Sequence, residues 1–192
     1  MTRWEPNARE RLLIAAVDLF SEQGYDETTV AQIADRAGVT KSTFFRHFPD
    51  KRELLVAGQA TLSRLLAEGI ASAPAELGPL GAVAAGLHRA SETLGPVNHE
   101  LGPRLQAVIA SSVELQERSI LKSVGLASAM AEALQARGVP DATARLAAEM
   151  GVLAFHQGYS AWSSRPDGGS GELARLSLAA LDELRTAAAS LE

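Results

Sequence analysis

Residues 41–47, KSTFFRH, bring together two cations, two hydroxyls and an imidazole: Lys41, Arg46, Ser42, Thr43 and His47. All of these side chains hydrogen-bond, and their spacing places them within two turns of one short helix. Unpaired amides and the positive helix end at Thr40 suit a phosphate oxygen, and Lys41 and Arg46 have the reach for guanine acceptors in a major groove. Phe45 falls between the faces, where an exposed ring can pack on a thymine methyl. Covalent chemistry has far less support. The four histidines, His47, His88, His99 and His156, form no H-E-x-x-H site, and neither a G-x-S-x-G elbow nor a phosphate loop occurs. His99 and Glu100 are chain neighbours, which do not face one another on a helix. Without cysteine there is no thiolate ligand or nucleophile. We therefore expect no enzyme, no metal and no cofactor.

The elements that must position this cluster are helices. Leu13, Ala16, Val17 and Phe20 mark one face of a first helix ending near Gly24. Thr29 caps a second, Gln32 completes a capping box, and Val30, Ile33, Ala34 and Ala37 form its apolar face up to Gly38. Thr40 caps the third, and Pro49 stops it. Phe44 and Phe48, four residues apart, share the face turned to the first two helices, which leaves the polar set pointing outward. Asp50 with Glu53 reads as another capping box, opening a helix to about Ala73. Further helices are expected over about residues 79–94, 103–118 and onward to 137, then from an Asp141 cap to Trp162, and over about 172–191.

A helix, a Gly-containing turn and a second helix with a polar face form a helix-turn-helix. Here FSEQGYDETTVAQIADRAGVTKSTFFRHFPDKRELL resembles the DNA-binding segment of the tetracycline-repressor (TetR) family of bacterial transcriptional regulators, over about residues 9–55. The likeness is carried by F-x-x-x-G-Y-x-x-T-T-V, by the A-G-V turn and by K-x-T-F-F-x-H-F-x-x-K-x-x-L. It implies an all-α chain of about nine helices. Residues 1–50 would be the DNA-binding domain, and residues 51–192 a larger helical ligand-binding and dimerisation domain. It also implies phosphate contacts at Thr29, Thr40, His47 and Lys51, and base or phosphate contacts at Lys41, Ser42, Thr43 and Arg46. One departure is Phe45, where relatives commonly carry a tyrosine whose hydroxyl grips a phosphate.

The implied partners are a near-palindromic double-stranded operator, a second copy of the chain and a small-molecule effector that releases the DNA, with repression the usual outcome. Ala147, Gly151, Ala154, Gly158 and Ala161 recur at spacings of four and three, and Leu173, Leu176, Ala180, Leu184, Ala187 and Leu191 line one side of the last helix. Both stripes are read as the dimer interface. Ile109, Phe155 and Tyr159, with His88 and Arg104 as polar anchors, are read as the ligand pocket.

Composition limits these readings. Hydrophobic residues make up 46% and charged residues 21%, as in soluble globular proteins. No signal peptide or membrane span is legible, so a cytoplasmic protein is expected. The net charge is −5, and residues 1–55 hold eight cations against nine carboxylates, so DNA affinity must come from a few placed cations. That balance, with Phe45, keeps one alternative open: a helical protein-interaction module whose helix-turn-helix is vestigial.

Overall fold

A computed structural model describes residues 7–54, 58–166, 168–169 and 171–191. Among them are nine α-helices, one 3₁₀ turn and no strand. The chain divides into two compact units, residues 1–57 with 103–120, and residues 58–102 with 121–192.

The first unit is built on α1 (Ala8–Gln23), α2 (Val30–Arg36) and α3 (Lys41–His47). Asn7 opens α1 with a reciprocal capping box to Glu10, which satisfies two amides that the first turn leaves without helical partners. The inward stripe of α1 is Leu12, Ala15, Ala16, Leu19 and Phe20, so Leu12 and not Leu13 occupies the core position. Tyr25, Ile33, Phe44, Phe48 and Leu54 complete the cluster, together with Val108 and Leu115 from far along the chain. Those two come from α6 (Pro96–Ala110) and α7 (Val113–Ala136). Within this unit the same segments add ion pairs, Arg104 to Asp18 at 2.6 Å and Arg118 to Glu53 at 3.3 Å. The unit thus recruits residues 103–120, which a division at residue 50 assigns elsewhere.

Three expected helix boundaries differ. Asp50 Oδ1 accepts from the amides of Arg52 and Glu53, but it caps only the 3₁₀ turn Arg52–Leu54. The next helix, α4 (Gln59–Ala71), starts anew after Gly58, whose φ of 92° lies in the left-handed region; residues 55–57 lie outside the described residues. Pro103 does not open a helix but sits inside α6, which begins at Pro96. Asp141 is the first residue of α8 (Asp141–Ser163) and not its cap; its carboxylate pairs with Arg145 and accepts from Gln135.

In the second unit, α4, α5 (Pro79–Ser91), α8 and α9 (Glu172–Ala189) pack with the later part of α7. A Cβ on Gly69 would lie 2.7 Å from the Gly86 Cα, so α4 and α5 cross backbone to backbone. Gly151 meets Val83 and Met130, and Gly158 meets the backbone of Ser177 on α9, where an added Cβ would lie 2.6 Å from its N and Cα. The small stripe of α8 is therefore used within the chain. Ala147, Gly151, Ala154 and Gly158 are buried, as are Leu173 and Ala180, while Leu176 and Leu184 pack partly buried on the same core. Of the predicted stripe on α8, Ala161 alone is exposed. The physical reason is that close approach needs only a helix to approach, and α5 and α9 supply one. Arg137 closes the C-terminal end of α4 by donating to the carbonyls of Ile70, Ala73 and Pro74.

Gly158→Ala should force α8 from α9 and destabilise the chain by about 1–3 kcal/mol, at roughly 2–4 °C of melting temperature per kcal/mol. An unchanged melt would mean that the two helices separate without cost. Both tyrosines of the chain, Tyr25 and Tyr159, are pushed up to about 12, chiefly by burial and, for Tyr25, next by the charge of Glu114. The native state thus keeps two protons that the unfolded chain loses near pH 10, so stability falls as pH rises from about 10 to about 12. Ultraviolet titration should show no phenolate in the folded chain near pH 10; phenolate there without unfolding would contradict the burial.

Candidate nucleic-acid interface

The outward face of α3 is set by what is turned inward. Phe44 has no solvent exposure and Phe48 is buried, their ring centroids 5.8 Å apart. Lys41, Ser42, Arg46 and His47 are then exposed, Thr43 is half-buried, and Phe45 stands 55% exposed with its ring edge-on to Phe44.

The turn before α3 holds this helix against α2. Gly38, at φ 65°, donates to the Asp35 carbonyl at 2.9 Å, and Val39 donates to that of Ala34 at 2.9 Å. These two bonds make a Schellman closure, which needs a left-handed residue at the glycine position. Thr40 Oγ1 accepts from the Thr43 amide at 3.1 Å, and Arg46 donates to the Thr43 hydroxyl at 3.3 Å. Thr29 and Gln32 form the reciprocal box at the start of α2: the Thr29 amide donates to Gln32 Oε1 at 2.8 Å, and Thr29 Oγ1 accepts from the Gln32 amide at 3.3 Å.

Charge in this unit is sorted. Arg36 pairs with Glu22 through both guanidinium nitrogens, and this holds the Glu22 carboxyl below its ordinary range. Arg52 faces Asp50 and Glu114, Arg104 faces Asp18, and Arg118 faces Glu53. Among the described residues, neither Lys41 nor Arg46 faces a carboxylate.

Lys51 departs from its expected role. Its ammonium points inward and donates to the carbonyls of Tyr25 at 2.7 Å, Thr28 at 3.0 Å and Asp26 at 3.4 Å, and it lies 4.1 Å from the centroid of the Tyr25 ring. The family resemblance aligns the residue with a phosphate contact, but the turn carbonyls that occupy it are twenty-three and more positions away.

The residues predicted for a ligand pocket are divided between the two units. Arg104 is tied to Asp18 and Ile109 packs on the core of the first unit, whereas His88 is an exposed side chain near Glu92. Phe155 and Tyr159 do meet, stacked at 6.2 Å within the core of the second unit. Residues that sequence reasoning did not join to them are Asn98, whose carbonyl accepts from the Tyr159 hydroxyl at 2.9 Å, and His99, edge-on to Trp162 at 4.8 Å. No local pattern marks them, since sixty or more residues separate the partners.

Comparison with known proteins agrees with this geometry. Residues 12–57 match the bacterial regulatory proteins of the tetR family. The transcriptional regulator TcmR of Streptomyces glaucescens is 37% identical over 75 residues, 39% of this chain and 33% of that protein. The transcriptional activator FasR of Mycolicibacterium smegmatis is 47% identical over 49 residues, 26% of this chain and 22% of that protein. The match thus spans a third or less of the length of these relatives. Two solved structures share the fold across the chain. FadR of Bacillus subtilis in complex with stearoyl-CoA has a TM-score of 0.58 at 20% identity, covering 91% of this chain and 96% of its own. SmeT of Stenotrophomonas maltophilia in complex with triclosan has a TM-score of 0.54 at 21% identity, covering 94% and 90%. By its amino-terminal segment this chain is similar to the tetR family of bacterial regulatory proteins, and its all-helical fold is that of the two solved structures.

Proposed function

We propose that this chain is a ligand-responsive transcriptional repressor that binds a near-palindromic DNA operator as a homodimer. The observation that carries the reading is the pair Lys41 and Arg46, two cations with no carboxylate partner among the described residues, on the outward face of a helix anchored by buried Phe44. In this reading Thr29, Thr40, Ser42 and His47 hold phosphates, Thr43 supports Arg46, and Arg46 with Lys41 reads base edges. Phe45 offers a ring to a thymine methyl where a tyrosine would grip a phosphate.

The second unit is the proposed seat of dimerisation and effector binding. With the small stripe of α8 buried, the surface left for a second copy includes Leu146 and Leu153 on an adjoining side of that helix, 63% and 46% exposed. Seven residues apart, they share one face. The aromatic run Phe155, Tyr159 and Trp162 supplies the apolar surface proposed for a small effector. It would act by preferring the conformer that holds DNA less well, since a ligand with equal affinity for both shifts nothing. A protein that acts on DNA works in the cytoplasm of a bacterium, and no helix among the described residues is long and apolar enough to cross a membrane.

The test is selection of bound duplexes from a random pool with the purified full chain, followed by titration of the selected duplex at several salt concentrations. A near-palindrome is expected, with log affinity falling against log salt by about 0.9 per phosphate contact. Absence of any enriched sequence would reject the reading. On the selected duplex, Arg46→Ala should cost about 1–3 kcal/mol and relax the preference at one position of each half-site. Equal loss on every sequence would instead make Arg46 a phosphate contact.

A further inference from the structure

We propose that Lys51 is a positioning residue that clamps the turn between α1 and α2 and does not contact DNA. The proposal rests on the DNA-binding reading of the first unit for its functional consequence, but the clamp itself is a property of the free chain. An ammonium has three hydrogens, and three carbonyls, those of Tyr25, Asp26 and Thr28, converge on this one within 3.4 Å. The Tyr25 ring covers a further side at 4.1 Å. A phosphate could gain this cation only by taking a hydrogen from a carbonyl that has no helix to return to.

The turn needs the cation. Residues 25–28 lie between two helices, and apart from the Thr28 amide donating to Tyr25 no backbone bond inside the turn satisfies these carbonyls. Three carbonyl dipoles aimed at one point repel one another unless a positive charge sits there. Thr29, the cap of α2, follows at once, and Gln23 links the same turn to Gln32 on α2. Lys51 itself follows α3 by only a few residues. The helix-turn-helix is therefore closed at both ends, by the Gly38 and Val39 bonds on one side and by Lys51 on the other. Moving the clamp would tilt α2 and carry the Thr29 hydroxyl away from the α3 face.

The two roles predict opposite behaviour. A phosphate contact accepts arginine, whereas three carbonyls converging on a point fit a compact ammonium and not a planar fork. The chain has three lysines, Lys41, Lys51 and Lys122, so amine acetylation read by mass spectrometry resolves each one. In the full chain without DNA, Lys51 should react more slowly than exposed Lys41 by roughly tenfold or more. Lys51→Met, which keeps the stem, and Lys51→Arg should both weaken binding to the selected duplex by roughly tenfold with an unchanged salt slope. Lys51 reacting as fast as Lys41 in the free chain would overturn the clamp. So would Lys51→Arg binding like the wild type while Lys51→Met loses about 0.9 from the salt slope. The labelling needs neither DNA nor a variant, so it judges the clamp even if no duplex is selected or a variant fails to fold.

Discussion

Phe44 is a side chain without solvent contact on a helix only seven residues long, and it fixes the rotation of that helix about its axis. A helix this short has no stability of its own, because the nucleation cost exceeds what a few hydrogen bonds return. It exists because Phe44 and Phe48 are buried against Leu12, Ala16, Phe20 and Ile33. Since residues four apart share a face, that burial decides which side chains remain for a partner. Lys41, Ser42, Arg46 and His47 are outward for this reason, and a polar residue at position 44 would remove both the helix and its face.

Around this anchor the molecule controls where charge is left over. Four arginines of the first unit are spent on nearby carboxylates, one lysine on backbone carbonyls, and two cations on nothing but Thr43 and solvent. Exposed ion pairs add little stability, about 0–1 kcal/mol each. Their effect is better described as subtraction: they cancel much of the positive charge of the unit and leave Lys41 and Arg46 on α3, with Arg9 and Arg11 on α1, as its exposed cations.

What was legible in the sequence was local. Thr29 with Gln32, the Gly38 turn, the Thr40 cap and the pairing of Phe44 with Phe48 all lie within a few residues of their partners, and each stands where its pattern put it. What was not legible required a distant partner. Leu115 belongs to the first core, Arg104 answers Asp18 across 86 positions, and Lys51 answers a turn 23 to 26 positions earlier. Small residues on α8 failed for a related reason. Their spacing says that something comes close, and Gly158 over Ser177 is such an approach, but spacing does not say whether the visitor is the same chain or another. Pro103 misled because a proline usually begins a helix, and here it lies inside one that starts seven residues earlier.

The self-cancelled arginines have a kinetic meaning. Beyond about 8 Å at physiological ionic strength each ion pair is screened to little more than a local dipole, and residues 1–55 together carry one net negative charge. Such a surface does not draw a polyanion from a distance. Proteins without steering associate at about 10⁵–10⁶ M⁻¹s⁻¹, far below the rates of strongly cationic binders. On the proposed DNA-binding reading, such a chain finds its site slowly, so differences in affinity among DNA sequences would be written in residence time on the duplex and hardly at all in the rate of arrival.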